Sequence, residues 1–178
     1  MLLKTLAVVA GILLFVAIFV FVARGRSSTV YVERTLSAPA EKVWKIWNDP
    51  ESMRKWWGPR DYTAPVIRND LRVGGTFLLS MRSHQGEVLW NTGTYKELVP
   101  NARIVSTLSF SDENGRVVPG SEVTVPGKWP DEIALTVEFK EAGGKTTVTV
   151  TEVGIPLIMK FFGTLGWQQQ LDKFEALL

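Results

Sequence analysis

The chain contains no cysteine, so no disulfide staples it and no thiolate serves as nucleophile or metal ligand. It has one histidine, and a single imidazole without thiolates leaves too few nitrogen and sulfur donors for a transition-metal site. That histidine, His84, falls at the end of an expected strand, on the face opposite Phe77, Leu79 and Met81, and reads as a surface residue near a turn. A Ser-His-Asp triad would have to use it, and nothing places a serine and a carboxylate beside it. GxGxxG, P-loop and nucleophile-elbow motifs are missing, and no cofactor is implied. "SDENGR", residues 111–116, lacks the further oxygen ligands and late Glu of a calcium loop and reads as a turn. An excess of positive charge is missing too. With Lys4, Arg24 and Arg26 set aside, 17 basic and 18 acidic residues remain, a net of −1. Such a chain has no footprint for displacing phosphate counterions, which excludes nucleic acid as a partner.

One long uncharged run is present. Residues 5–23, "TLAVVAGILLFVAIFVFVA", approach the ~20 residues that span a bilayer. Phe21-Val22-Ala23 followed by Arg24 makes a poor signal-peptidase site, so the run reads as an uncleaved single-pass anchor. Lys4 on one side and Arg24 and Arg26 on the other nearly balance, leaving the side of the membrane undetermined. Residues 1–26 are therefore read as anchor and flanks, with "RGRSST" as a short linker. Residues 29–178 are read as one domain of a size that buries a sizeable core.

Four of the seven tryptophans lie in "WKIWNDPESMRKWWGP", residues 44–59. After an alternating strand over 30–36, Pro39 opens a helix in which Val43, Trp44, Ile46 and Trp47 share one side. Asp49-Pro50-Glu51 starts a second short helix, with Asp as cap and Met53, Trp56 and Trp57 on one side. Gly58-Pro59 ends it. Two short helices thus turn Trp44, Trp47, Trp56 and Trp57 toward one place, as core packing or as the wall of a cavity, with Trp56 or Trp57 as the candidate for its mouth. Six strands follow in the pattern, over 63–70, 75–84, 87–98, 102–110, 132–141 and 145–153. Their inner faces carry Phe77/Leu79/Met81, Ile104/Leu108/Phe110, Ile133/Leu135/Val137/Phe139 and Val148/Val150, whereas 88–95 alternates ambiguously. Residues 111–130 are rich in Gly and Pro and long for a loop, which suggests a lid or flexible hairpin. A final helical stretch over 157–178 has the stripe Trp167, Leu171, Phe174 and Leu178, with Gly163 and Gly166 expected to break or bend its start. Lys173 lies off that stripe, so aspartate there is expected to be far less harmful than at Phe174.

The segments "ERTLSAPAEKVWKIWNDPESMRKWWGP", "DLRVGGTF", "GTYKELVPNARIVSTLSF" and "GWQQQLDKFEALL" resemble the domain named after the activator of the ninety-kilodalton heat-shock protein's ATPase. That domain belongs to the START and birch-pollen-allergen superfamily, also called SRPBCC. The resemblance covers residues 29–178 and implies an α+β helix-grip fold. In it a curved antiparallel sheet, whose first and last strands are neighbours, wraps a long C-terminal helix, two short helices follow the first strand, and a cavity opens between sheet and helix. Members of this superfamily bind lipids, close polyketide rings or assist a chaperone, so the fold leaves function open.

The first reading is a membrane-tethered, non-enzymatic module that binds a hydrophobic or amphipathic small molecule or lipid. Arg34, Trp57, Phe77, Leu79, Met81, Phe110, Trp167, Leu171 and Phe174 are its candidate ligand-binding residues, and no catalytic or metal-binding residue is assigned. The alternatives are a cyclase-like enzyme using Arg34, Asp70 or Tyr95 as polar pocket groups, and a chaperone-assisting interaction module. Arg34 and Glu152 both interrupt apolar strand faces, which leaves three readings. They are strand-end charges reaching solvent, an internal Arg34–Glu152 pair, or, for Arg34, an anchor for a ligand carboxylate.

Overall fold

A computed structural model describes residues 25–178; the proposed anchor at 5–23 lies outside them. Among the described residues no helix is long and apolar enough to cross a membrane. Strand β1 (Ser27–Leu36) is followed by helices α1 (Ala40–Asn48) and α2 (Pro50–Trp56). Strands β2 (Ile67–Asn69), β3 (Thr76–Arg82), β4 (Val88–Val99), β5 (Arg103–Ser111), β6 (Ile133–Ala142) and β7 (Lys145–Pro156) come next. A 3-10 turn at Leu157–Met159 leads into α3 (Lys160–Glu175). The strands form one antiparallel sheet in the order β1-β7-β6-β5-β4-β3-β2. β2 to β7 are thus a meander, and β1 adds beside β7, as the sequence reading anticipated.

Local chemistry explains the boundaries. The Asp49 carboxylate accepts from the Ser52 backbone N–H at 2.8 Å and from its hydroxyl at 2.6 Å, capping α2 behind Pro50. These bonds from Ser52 hold the Asp49 carboxyl below the ordinary carboxylate range. β2 is shorter than the expected 63–70: only three residues pair continuously, and Thr63 makes an isolated bridge to Arg82. Pro65 separates the two, having no N–H to give a ladder. Register shifts between Ser28 and Thr29 and between Tyr95 and Glu97 put bulges into β1 and β4, which bend the strands. At residue 93 only glycine fits, because a Cβ would collide with the Thr107 carbonyl and the Phe77 ring.

Gly163 and Gly166 do not break α3; they lie inside it. Their missing side chains let the helix come close to its neighbours, with the Cβ position of Gly163 3.1 Å from Val30 and that of Gly166 3.7 Å from Pro59. Trp167, Leu171 and Phe174 are buried on the helix's inner face. There the tryptophans of α1 and α2 join them. Phe174 lies 5.5 Å from the Trp47 ring and 5.4 Å from the Trp56 ring, and Trp47 stacks on Trp167 at 6.3 Å. Trp44 packs edge-on against Phe139 of β6 at 5.4 Å. The helices and the sheet share one core.

Candidate functional site

That aromatic core leaves a residual void of about 30 Å³ between Trp47, Trp56, Phe77, Leu79, Tyr95 and Trp167. This is space for a water or two and no organic ligand. Beside it lies a far larger cavity of about 930 Å³, near the upper end of the range for small-molecule sites. Its floor comes from the sheet: Met81, Leu89, Asn91, Leu108, Phe110, Ile133 and Ile155. One wall is Trp57 to Tyr62, another is the face of α3 from Phe162 to Gln170, and the cover is Thr124, Val125, Pro126 and Trp129. The ambiguity in β4 is resolved here, because Leu89 and Asn91 face the cavity and Tyr95 faces the Phe77 ring at 5.4 Å.

The cover is segment 111–130, and it is tied down. Trp129 packs edge-on against Phe110 at 5.0 Å while its indole N–H donates to the Val125 carbonyl at 3.0 Å. The Gly120 N–H donates to the Asp131 carboxylate at 2.7 Å. Gly127 has φ +117°, and a Cβ there would press into Pro156 at the end of β7, so only glycine seats the cover this closely. "SDENGR" is a turn in which the Asp112 carboxylate accepts from the Asn114 and Arg116 N–H groups.

The wall at 57–62 is held by α3. Gln170 accepts from the Gly58 N–H at 2.9 Å and Gln169 from the Arg60 N–H at 3.2 Å. The Lys173 ammonium donates to the carbonyls of Trp57, Gly58, Pro59 and Tyr62, the shortest bond being 2.9 Å to Gly58. Partial burial lowers the Lys173 pKa. Charge reversal at Lys173 would therefore also cost the bonds that hold this wall, which helical spacing does not show because the carbonyls are delivered by a distant loop.

Inside the cavity one charged group stands out. Glu152 of β7 is buried at 7% exposure, opposite Val30 on one side and Leu135 on the other. Burial pushes its carboxyl up to about 7 from an ordinary 4.5, and hydrogen bonding by the Trp167 side chain pulls the other way. Among the described residues lining the cavity there is no lysine, arginine or histidine. The chamber is lined mainly by apolar side chains, with Asn91, Gln169 and Gln170 among its polar groups and Glu152 as its buried acid.

Of the predicted site residues, Trp57, Met81, Phe110 and Trp167 line this cavity. Phe77 and Leu79 line only the small void, and Leu171 and Phe174 are sealed in the core. Alternation and helical periodicity identify an inward face, and they do not separate the part that packs from the part that encloses space. Trp56 is completely buried and Trp57 nearly so, so neither is exposed at the mouth.

Arg34 is the clearest correction. It stands opposite Val148 in the β1–β7 register, while Glu152 stands opposite Val30. Its guanidinium pairs instead with Asp172 at 3.0 Å and Glu175 at 3.1 Å on α3 and donates to Gln168 at 2.7 Å. Neither an Arg34–Glu152 pair nor an Arg34 ligand anchor fits this geometry. Arg34→Leu should cost about 1 kcal/mol or less, because the pairs are open to solvent. It should leave ligand binding in the cavity unchanged, as read by denaturant unfolding and dye titration. The polar groups considered for an enzyme are elsewhere as well. Asp70 is exposed and pairs with Arg72 at 2.9 Å, and the Tyr95 hydroxyl donates to Asn69 at 2.7 Å. His84 is exposed, 3.8 Å from Asp61. Among the described residues no cluster of three or more His, Cys, Asp or Glu is placed to hold a metal.

This arrangement of two short helices, meander and capping helix is that of a known family. Residues 37–178 match the family model described as Activator of Hsp90 ATPase homolog 1-like protein. The chain belongs to that family. Its α+β fold recurs in a Chromobacterium violaceum protein that is 30% identical, with a TM-score of 0.70 over 84% of this chain and 95% of that one. An AHSA1-like protein from Aeromonas hydrophila has the same fold at 24% identity and a TM-score of 0.60, covering 84% and 90% of the two chains. The AHSA1 protein of Silicibacter pomeroyi matches at 18% identity and a TM-score of 0.66, covering 84% and 96%. A comparison with curated proteins finds no match.

Proposed function

We propose that this family member is a membrane-tethered, non-enzymatic module that binds an uncharged amphipathic small molecule in the cavity between sheet and α3. The observation that carries the reading is the 930 Å³ chamber with apolar walls and a single buried acid, Glu152. Apolar walls take a hydrocarbon body. With its carboxyl pushed up to about 7, Glu152 keeps its proton in a large share of molecules at neutral pH, and that form donates one hydrogen bond to a hydroxyl, ether or carbonyl oxygen. With no basic side chain on the wall, a carboxylate ligand would lose its hydration without gaining a counter-charge. The uncharged run at 5–23 supports a tether that keeps the module where such amphiphiles concentrate.

The test is competition against Nile red, a neutral apolar dye, bound to the protein near 1:1. A long-chain alcohol should displace it at about tenfold lower concentration than the fatty acid of equal length at pH 7, a preference of about 1.4 kcal/mol. Leu89→Trp combined with Leu108→Trp should weaken dye binding by more than tenfold while the fold persists, since both residues face the chamber. Leu79→Trp should instead destabilise the domain by about 1–3 kcal/mol, because it faces a void too small to take the ring. Equal displacement by alcohol and acid, or no binding by the folded protein, overturns the reading. A chaperone-assisting role, which the family's description suggests, would need no chamber of this size. An enzymatic role would have to draw on Glu152 together with the other polar side chains on the wall, Tyr62, Glu87, Asn91, Thr124, Gln169 and Gln170.

A further inference from the structure

Three large apolar side chains at the start of α3 remain outside the core: Phe161 at 70% exposure, Phe162 at 59% and Leu165 at 43%. The rings of Phe161 and Phe162 meet edge-to-face at 5.6 Å, so they form one patch. Two of the three, Phe162 and Leu165, also line the 930 Å³ cavity. Being both exposed and lining, they mark its rim. The patch is therefore the lip of the binding chamber.

The chain enters the domain beside that lip. The Arg26 carbonyl accepts from the Leu157 N–H at 2.8 Å, Ser27 stands opposite Pro156, and the Cβ position of Gly163 meets Val30 at 3.1 Å. The uncharged run ends at Ala23, three residues before Arg26. Three residues of even fully extended chain reach about 10 Å. Arg24 and Arg26 flank this point in sequence, and Lys160 is exposed immediately before Phe161. Basic side chains beside exposed aromatic rings suit the headgroup layer, where the rings enter the hydrocarbon boundary and the cations meet anionic lipids.

We infer that the Phe161–Phe162–Leu165 patch is seated in the lipid bilayer interface, so that the chamber opens directly onto the membrane. The inference rests on the anchor reading of residues 5–23 and adds an orientation to it: the α3 start faces the lipid, and the Ala142–Lys145 hairpin at the other end of β7 faces water. Ligand then passes between bilayer and chamber without crossing the aqueous phase. The occupant is lipid because the anchor places the patch at the bilayer surface and the neighbouring cations complement its headgroups.

The absence of native cysteine makes the test clean. The full chain is reconstituted in vesicles of neutral and anionic phospholipid and labelled with an environment-sensitive fluorophore at Phe161→Cys or, as a reference, at Lys145→Cys. Quenching by lipids spin-labelled near the headgroup should be several-fold stronger at 161 than at 145. Phe161→Ser with Leu165→Ser should slow Nile red transfer from vesicles to the protein about tenfold, with secondary structure retained by circular dichroism. Equal, weak quenching at both sites overturns the docking. A blue-shifted label at 161 that lipid quenchers do not reach also overturns it, because the patch is then covered by protein. Alkaline carbonate extraction keeps the two readings apart. A chain that resists extraction but shows no quenching at 161 loses the docking and keeps the anchor, whereas a chain released by carbonate loses the anchor as well.

Discussion

Phe174→Asp should leave almost no folded domain. Phe174 is wholly buried in α3, with the Trp47 and Trp56 rings 5.5 and 5.4 Å away. Removing a buried phenylalanine costs about 3–5 kcal/mol, and an unpaired carboxylate among tryptophans adds several more or is forced to protonate. Domains of this size are stable by about 5–15 kcal/mol, so the change removes most of that margin. Ala176→Asp adds the same charge two residues on, at an exposed position, and should cost about 1 kcal/mol or less. Urea unfolding of the 25–178 fragment, followed by circular dichroism and tryptophan fluorescence, distinguishes the two. Similar midpoints for both variants would mean that α3 does not pack by this face. Lys173 is unsuitable as the tolerant comparison because it holds four carbonyls of the 57–62 wall.

Glu152→Gln should remove a pH dependence of stability. The Glu152 carboxyl is pushed up to about 7 in the folded chain from 4.5, so between these values the native state holds a proton that the unfolded state has released. Its contribution is complete below pH 4.5 and is lost as pH rises through 7. At full ionisation the loss is about 3 kcal/mol. The wild-type domain should therefore lose about that much more stability than the glutamine variant between pH 4.5 and 9, and the variant should be the more stable of the two at pH 9. Parallel unfolding profiles would show Glu152 to be solvated. In binding experiments the same substitution should hold affinity for a long-chain alcohol steady as pH rises. In the wild type that affinity should fall above pH 7, because an ionised carboxyl accepts and no longer donates.

The order of elements was legible from the residues because it follows from local rules. Pro39 and Pro50 open helices, Asp49 caps one, and alternation marks the inner faces of β3, β5, β6 and β7. The four motifs from 33–59, 70–77, 93–110 and 166–178 pointed to the family that the match over 37–178 shows. The position of β1 beside β7 followed from the expected fold, and their register did not. A shift along the ladder changes which side chains meet, and only the paired strands show Arg34 opposite Val148 and Glu152 opposite Val30. The division of one apolar face into packed core and open chamber was likewise invisible. Phe77 and Leu79 have the same pattern as Met81, yet only Met81 lines the chamber, because α1 and α2 fill the space over the other two and end before reaching it. Periodicity is a property of neighbours in sequence. Enclosed volume, the burial that raises the Glu152 pKa and the carbonyl cage around Lys173 are set by residues brought together from more than a hundred positions apart, and the tertiary structure alone decided them.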